Sequence, residues 1–198
     1  MLKQFALSVW QVCDPFYFAC TRLQYVEPPP HNIFRVRLLR YRGPALQLRD
    51  GTHIRRGDLL LKIHFHNVRL LSQMLHVNDA IARSRLLYRL VQQSLPGLAR
   101  YCSEHPRFAE LKAIIGITQI NRGCTSLGFD VCDIQSRGYR LLKRMMLLPI
   151  YLLSVAQPLR SFAKHEPKLL LMSKASLQQR YGAHSGAQSR GRLPIISY

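Results

Sequence analysis

Acid is scarce in this chain. Ten Asp and Glu stand against 29 Lys and Arg, a formal net charge of +19. Carboxylates this few and scattered do not suggest a paired-carboxylate hydrolase. The surface must carry a broad positive potential, which attracts polyanions: nucleic acid, anionic lipid head groups or acidic polymers. A basic surface with no such partner is the plainer alternative. Cysteine is sparse too. Cys13, Cys20, Cys102, Cys124 and Cys132 are odd in number and include no Cys-x-x-Cys pair. That disfavours a disulfide framework or a zinc finger and fits reduced, mostly buried thiols of a cytosolic protein. Long apolar runs are missing. The longest, Met145 to Val155, is about half of the ~20 residues a spanning helix needs, and Lys143 and Arg144 precede it. No transmembrane segment is expected, while contact with a membrane surface stays open. Near the N-terminus Gln4, Gln11 and Asp14 interrupt a short apolar run with no small-x-small site after it, so no signal peptide is assigned. Also missing are a Gly-x-Ser-x-Gly elbow, a Walker loop, a Rossmann glycine run and an HExxH pair. No helix-turn-helix or Gly-aromatic RNP pattern stands out either, although nucleic acid stays open on charge alone. No cofactor is assigned.

What is present reads as one α+β domain with small appendages. At 198 residues and 47% apolar content the chain can bury a core. Residues 1–32 read as an N-terminal helical segment, over 2–26, with aromatic anchors at Phe5, Trp10, Phe16, Phe18 and Tyr25 and a break at Pro15. The spacer Pro28-Pro29-Pro30 follows it. Residues 183–198, rich in Gly, Ser, Gln and Arg, read as a mobile basic tail. Between them, over 33–182, alternation predicts an antiparallel sheet. Its strands are Ile33–Tyr41, Leu46–Arg49, Thr52–Ile54 and Leu59–His66, with turns at Gly43-Pro44, Asp50-Gly51 and Gly57-Asp58. Leu59, Leu61, Ile63 and Phe65 would face a core; Leu60, Lys62, His64 and His66 would face away from it. Covering helices are expected over Arg69–Leu75 and from an Asn78-Asp79 start to about Gln93, where Pro96-Gly97 interrupts, with a resumption over Leu98–Glu104. Residues 113–134 read as a strand–helix–strand unit. Ala113–Thr118 and Phe129–Ile134 would be strands, and Gln119–Leu127 a short helix closed by Gly128 in a left-handed conformation, with some parallel pairing. A basic amphipathic helix follows from about Arg137. A strand over Leu169–Met172 and a helix over Lys174–Arg180 with Ser173 as N-cap end the ordered part.

The densest set of candidate functional side chains is the strand end His64-x-His66-Asn67. Two imidazoles on one strand face is a spacing that metal sites use. A cupin site needs five residues between Gly and the His pair and a Glu soon after. Here six residues follow Gly57, and the next Glu is Glu104. A third ligand (His53, His31 or Asp58) has no evident place, so no metal site is assigned and a solvated strand face is the plainer reading. The piece ending in Leu127-Gly128-Phe129-Asp130-Val131 resembles the final helix–strand of the GNAT acetyltransferases. The loop that cradles the coenzyme A pyrophosphate in that superfamily is not found upstream. Acyl transfer is therefore kept only as an alternative.

Joined in order, the pieces RYRGPALQLRDGTHIRRGDLLLKIHFHN, LKAIIGITQINRGCTSLGFDV and LMSKASLQQRYG are similar to the YkoP-like bacterial domain. There the comparable stretches read Tyr-x-Gly, Leu-x-Asp-Gly-x-x-Ile-x-x-Gly-Asp, Leu-His-x-Asn, Gly-x-Thr, Leu-Gly-Phe and Ser-x-x-x-Leu-x-x-x-Tyr-Gly. The resemblance covers most of residues 33–182. It implies a bacterial protein without an established activity, in some members attached to polysaccharide deacetylase domains. Carried onto this chain, its polar positions are Asp50, Asp58, His64, Asn67, Thr118, Arg180 and Tyr181. Where the pattern has one His before Asn, this chain has His64-Phe65-His66. The resulting expectation is an accessory or binding domain for an anionic or glycan-type ligand near the cell envelope, cytoplasmic, with peripheral membrane contact left open. A ligand site would bring together His64, His66, Asn67, Asp58, Thr118, Arg180 and Tyr181. For the segment 137–157 two fates fit: a helix lying in a membrane interface with its cations toward head groups, or, the favoured one, a layer that covers the sheet, in which Leu141, Leu142, Met145 and Leu148 are expected to be buried. Leu142→Ala would then cost about 2–5 kcal/mol as a core cavity.

Overall fold

The computed structural model describes residues 22–28, 31–74, 77, 79–119, 123–154 and 166–182. The expected helix before residue 22 and the basic tail lie outside these. The fold is α+β. Among the described residues it comprises the strands β1 (Gln24–Tyr25), β2 (Phe34–Arg40), β3 (Leu46–Gln47), β4 (His53–Ile54), β5 (Leu59–Phe65), β6 (Leu111–Thr118), β7 (Asp130–Asp133) and β8 (Lys168–Ser173). The helices are α1 (Asn67–Met74), α2 (Ala80–Glu104), α3 (Arg137–Ser154) and the short α4 (Lys174–Leu177), which runs into a π turn over Gln178–Gly182.

Six strands form one sheet in the order β1-β2-β5-β6-β8-β7. All its pairs are antiparallel except β5 with β6. That parallel pair needs a crossover, and α1 and α2 supply it. Parallel pairing was expected inside 113–134 instead. It is not there, because β8 inserts between β6 and β7 and pairs antiparallel with both. Residues 123–128 are turns, not the expected helix, and close with Gly128 at φ +90°. Tyr25 is also re-placed: it lies in β1 beside Arg35, not in a helix. Strands β3 and β4 pair only with each other, as a separate hairpin, so the expected four-strand antiparallel run reduces to β2 and β5.

Alternation explains the first face. Phe34, Val36, Leu61, Ile63, Ile114, Leu170 and Met172 form a core with Val91, Leu95, Leu98, Ala99 and Cys102 of α2. Sustained burial along that helix is also why it does not break at Pro96. Leu95, Leu98, Ala99 and Cys102 have no exposure at all, and burying several such side chains at about 1.5–3 kcal/mol each outweighs one lost backbone bond. The helix therefore runs through from Ala80 to Glu104, capped by the Asp79 side chain on the Ala82 amide at 2.8 Å. Gly97 allows the approach of the neighbouring chain. A Cβ there would lie 2.5 Å from Glu27 Oε2 and 2.7 Å from Asn32 Nδ2.

The second face is covered in two parts. Over one end lies the β3–β4 hairpin, where Tyr41, Leu48 and Ile54 pack with Leu60, Ala113, Ile115 and Leu171. Leu60 thus belongs to a second core and not to an open face. Over the other end lies α3, and its orientation is the reverse of that expected. Leu141, Leu142, Met145 and Met146 are 61%, 54%, 57% and 52% exposed. Half-buried instead are Arg140, Lys143, Arg144 and Leu147, at the i, i+3, i+4, i+7 spacing of one helix side. Cations point inward and the apolar stripe outward. The Leu148 side chain lies outside the described residues.

Candidate functional site: a buried cationic face

Strand pairing places the charges. Arg35 is level with His64 and Arg37 with Lys62, so all four share the second face of the sheet. Lys143 comes down on them from α3. It acts electrostatically on both Lys62 and His64, and Arg37 acts on Lys143 in turn. Burial, then repulsion from Lys143 and Arg37, lowers Lys62 to about 8. Burial, then the surrounding cations with Lys62 first, lowers His64 to about 3, so its imidazole is neutral at physiological pH. Lys143 is lowered by the same two causes. No described carboxylate forms an ion pair with Arg37, Lys62 or Lys143. The buried Arg37 Nε makes no hydrogen bond. Among the described residues Lys143 reaches soft partners, the Met146 sulfur at 3.8 Å and the face of Tyr139 at 5.2 Å from the ring centre. Arg35 sits at the β1 side, donating to Tyr25 Oη at 3.1 Å and stacking on that ring. His66 meets the same ring edge-on at 5.8 Å.

Of the residues expected to form a site, then, His64 lies in this face and His66 at its Tyr25 edge. Asn67 starts α1, and its side chain lies outside the described set. Thr118 is near in backbone but turned away. Ile63 is beside Gly116, where a Cβ would touch Ile63 Cγ1 at 3.2 Å. Extending the parallel register puts His64 one strand away from Ile117, at ~4.8 Å spacing. Alternation then directs Thr118 to the α2 face and His64 to the other. Asp58, Arg180 and Tyr181 are elsewhere. Asp58 Oδ2 accepts from the Arg55 amide at 2.8 Å inside its own turn. Tyr181 Oη donates to the Leu127 carbonyl at 3.0 Å. Arg180 lies across Gly128, where a Cβ would meet its Cδ at 2.9 Å. No group of three His, Cys, Asp or Glu able to hold a metal occurs among the described residues.

The ordered motifs therefore meet in pairs, as clasps of the fold. Tyr41 lies over Gly43, whose Cβ would fall 2.3 Å from Tyr41 Oη. Asp50, at the tip of the hairpin, accepts hydrogen bonds from the hydroxyls of Ser173 and Ser176 and from the Thr52 amide at 3.0 Å. Desolvation pushes the Asp50 carboxyl up, but these hydrogen bonds together outweigh it and hold the group below its usual value. Ser173 also caps α4 through the Ser176 amide at 2.9 Å. Arg49 pairs with Asp130 at 3.0 Å beside it. The expected helix before Leu127 is absent over 123–128, so the acetyltransferase-like helix–strand pair is not formed there. The three described cysteines are unbridged; burial raises the Cys102 thiol to about 12 and Cys124 to about 11. Sequence reading assigned Arg37 and Lys143 no part in a site. The only available signal was that Arg37 alternates in step with Arg35 on a strand, since the arrival of a helix above them is a tertiary event.

The comparisons with known proteins agree with the motifs. The model of the YkoP domain matches residues 3–181, which takes in N-terminal residues that the motifs do not reach. The uncharacterized protein YkoP of Bacillus subtilis (strain 168) is 39% identical over 181 residues, covering 91% of this chain and 98% of that protein. No solved structure matches. On the extent of that match and the identity to its Bacillus relative, the chain belongs to the YkoP domain family.

Proposed function

We propose that this protein is a binding domain for an anionic group, held on the second face of the sheet by Arg37 and Lys62 from β2 and β5 and by Lys143 from α3. One observation carries the reading: three half-buried cations lie within electrostatic reach of one another with no ion pair to a described carboxylate. Unpaired charge brought together out of water is costly, and an anion placed between the groups relieves both the desolvation and the repulsion. A guanidinium and two ammonium groups suit phosphate, sulfate or the carboxylate of an acidic sugar. His64, neutral beside them, offers one more hydrogen-bond donor. An acidic glycan of the cell envelope is the larger ligand of this chemistry that the family resemblance favours.

Calorimetry of the whole chain against inorganic phosphate, sulfate and glucuronate, in chloride buffer, tests this. Saturable binding that Lys62→Met weakens about tenfold or more is expected, from the loss of one charge-assisted contact. No heat from any of the three anions, or equal binding by the variant, overturns it.

A further inference from the structure

A second observation, independent of the anion site, concerns the outer side of α3. Leu141, Leu142, Met145 and Met146 are each more than half exposed and occupy one continuous stripe on the solvent side of the helix. Soluble surfaces scatter such residues singly; contiguous large apolar side chains mark a place where something docks. The stripe is edged by Arg137 and backed by Arg140, Lys143 and Arg144, and no Asp or Glu occurs anywhere in the 18 residues of the helix. We propose that this face of α3 seats the protein on an anionic lipid surface, with the Leu and Met side chains at the acyl boundary and the exposed Arg137 at the edge of the stripe toward the head groups.

Charge complementarity selects lipid over a second copy of the chain. An isologous dimer through this stripe would bring together two molecules each carrying +19, each with an exposed Arg137 beside the stripe. A bilayer with acidic head groups meets that charge with its opposite. The composition of the stripe fits as well, since unbranched Met adapts to a fluid partner. No helix among the described residues is long and apolar enough to cross a membrane, so the contact is one of lying in the interface.

Co-flotation of the whole chain with phosphatidylcholine vesicles, with and without phosphatidylglycerol, tests this. Binding to the acidic vesicles only is expected, falling steeply as salt rises. A variant carrying Leu141→Ser, Leu142→Ser and Met145→Ser should keep the wild-type melting temperature and lose binding about tenfold or more, because the apolar contact is removed while every cation stays. Three results overturn the proposal: no flotation with acidic vesicles, undiminished flotation of the variant, or a wild-type dimer in sedimentation that the variant abolishes. Loss of phosphate binding in Lys62→Met with vesicle binding kept separates failure of the anion site from failure of this surface.

Discussion

Lys62 shows what position does to a charge. In sequence it is one polar member of an alternating strand; in the fold it is half-buried among like charges and lowered from 10.5 to about 8. The unfolded chain then binds more protons than the folded one between about pH 8 and 10.5, so the Lys62 contribution destabilises fully below pH 8 and is relieved as pH rises through that window. Lys62→Met should therefore stabilise the anion-free protein by about 1–3 kcal/mol at neutral pH, as removal of a half-buried charge that no described carboxylate pairs. It should also flatten the alkaline rise in stability, measured by urea unfolding from pH 7 to 10.5 against wild type. His64 acts at the acid end. With a folded value of about 3 against 6.5 unfolded, its stabilisation is whole above 6.5 and lost as pH falls toward 3. In ring-proton titrations by NMR the His64 shifts should stay those of the neutral form at pH 5. Asp50 has the same sign of dependence, since a lowered carboxyl stabilises above its unfolded value and stops doing so as pH drops through its folded one. Ser173→Ala removes both the cap of α4 and a donor to Asp50. It should cost about 1–3 kcal/mol in urea unfolding and shrink that acid dependence.

Among the elements, α2 and α3 depart furthest from what local sequence suggests, in opposite ways. A proline and a glycine in succession usually end a helix, yet α2 continues because every residue of its buried side beyond Pro96 has a place in the core. Gly97→Ala should consequently be destabilising, by about 1–3 kcal/mol, although alanine is the better helix former. Its new Cβ has to displace the Glu27 and Asn32 side chains, and Glu27 is ion-paired with Arg100. In α3 the periodicity is legible and the direction is not. A hydropathy pattern states that a helix has two sides and assumes that the apolar one faces the protein. With Leu142 54% exposed, Leu142→Ala should change the melting temperature little, within about 0.5 kcal/mol, in place of the cavity cost that burial would have carried.

For the molecule as a whole, charge is the dominant property. An excess of 19 positive charges repels itself at low ionic strength and is screened at high. The melting temperature should rise with sodium chloride, and rise further with sulfate at matched ionic strength if the face under α3 takes an anion. Equal effects of the two salts would leave screening as the whole explanation. The clasps bear on the same scale. Asp50 with Ser173 and Tyr181 with Leu127 join positions more than 50 residues apart, and each ties a loop to the end of β8 or the segment that follows it. Truncation before Ser173 should therefore abolish cooperative unfolding and not merely trim a terminus.

The chain by itself determined the α+β class, the strands β2 and β5, the turn dipeptides between them, the Ser173 cap and the kinship with the YkoP domain. These rest on period-two alternation, turn dipeptides and ordered short motifs, all of which are local. It could not decide which strand inserts beside which. A β8 that enters between β6 and β7 is read only from pairing across some 35 to 60 residues. Nor could it separate motif residues that clasp the fold from those that face a ligand. Asp58, Arg180 and Tyr181 carry the same polar groups in either role, and only their partners in space distinguish the two. The cationic face is the clearest case. Arg37, Lys62 and Lys143 come from three elements, and their shared pocket of charge exists because the sheet registers Arg37 with Lys62 and α3 then lies on top with its basic side inward. Register and helix rotation are set by burial over the whole domain, a sum no single segment contains.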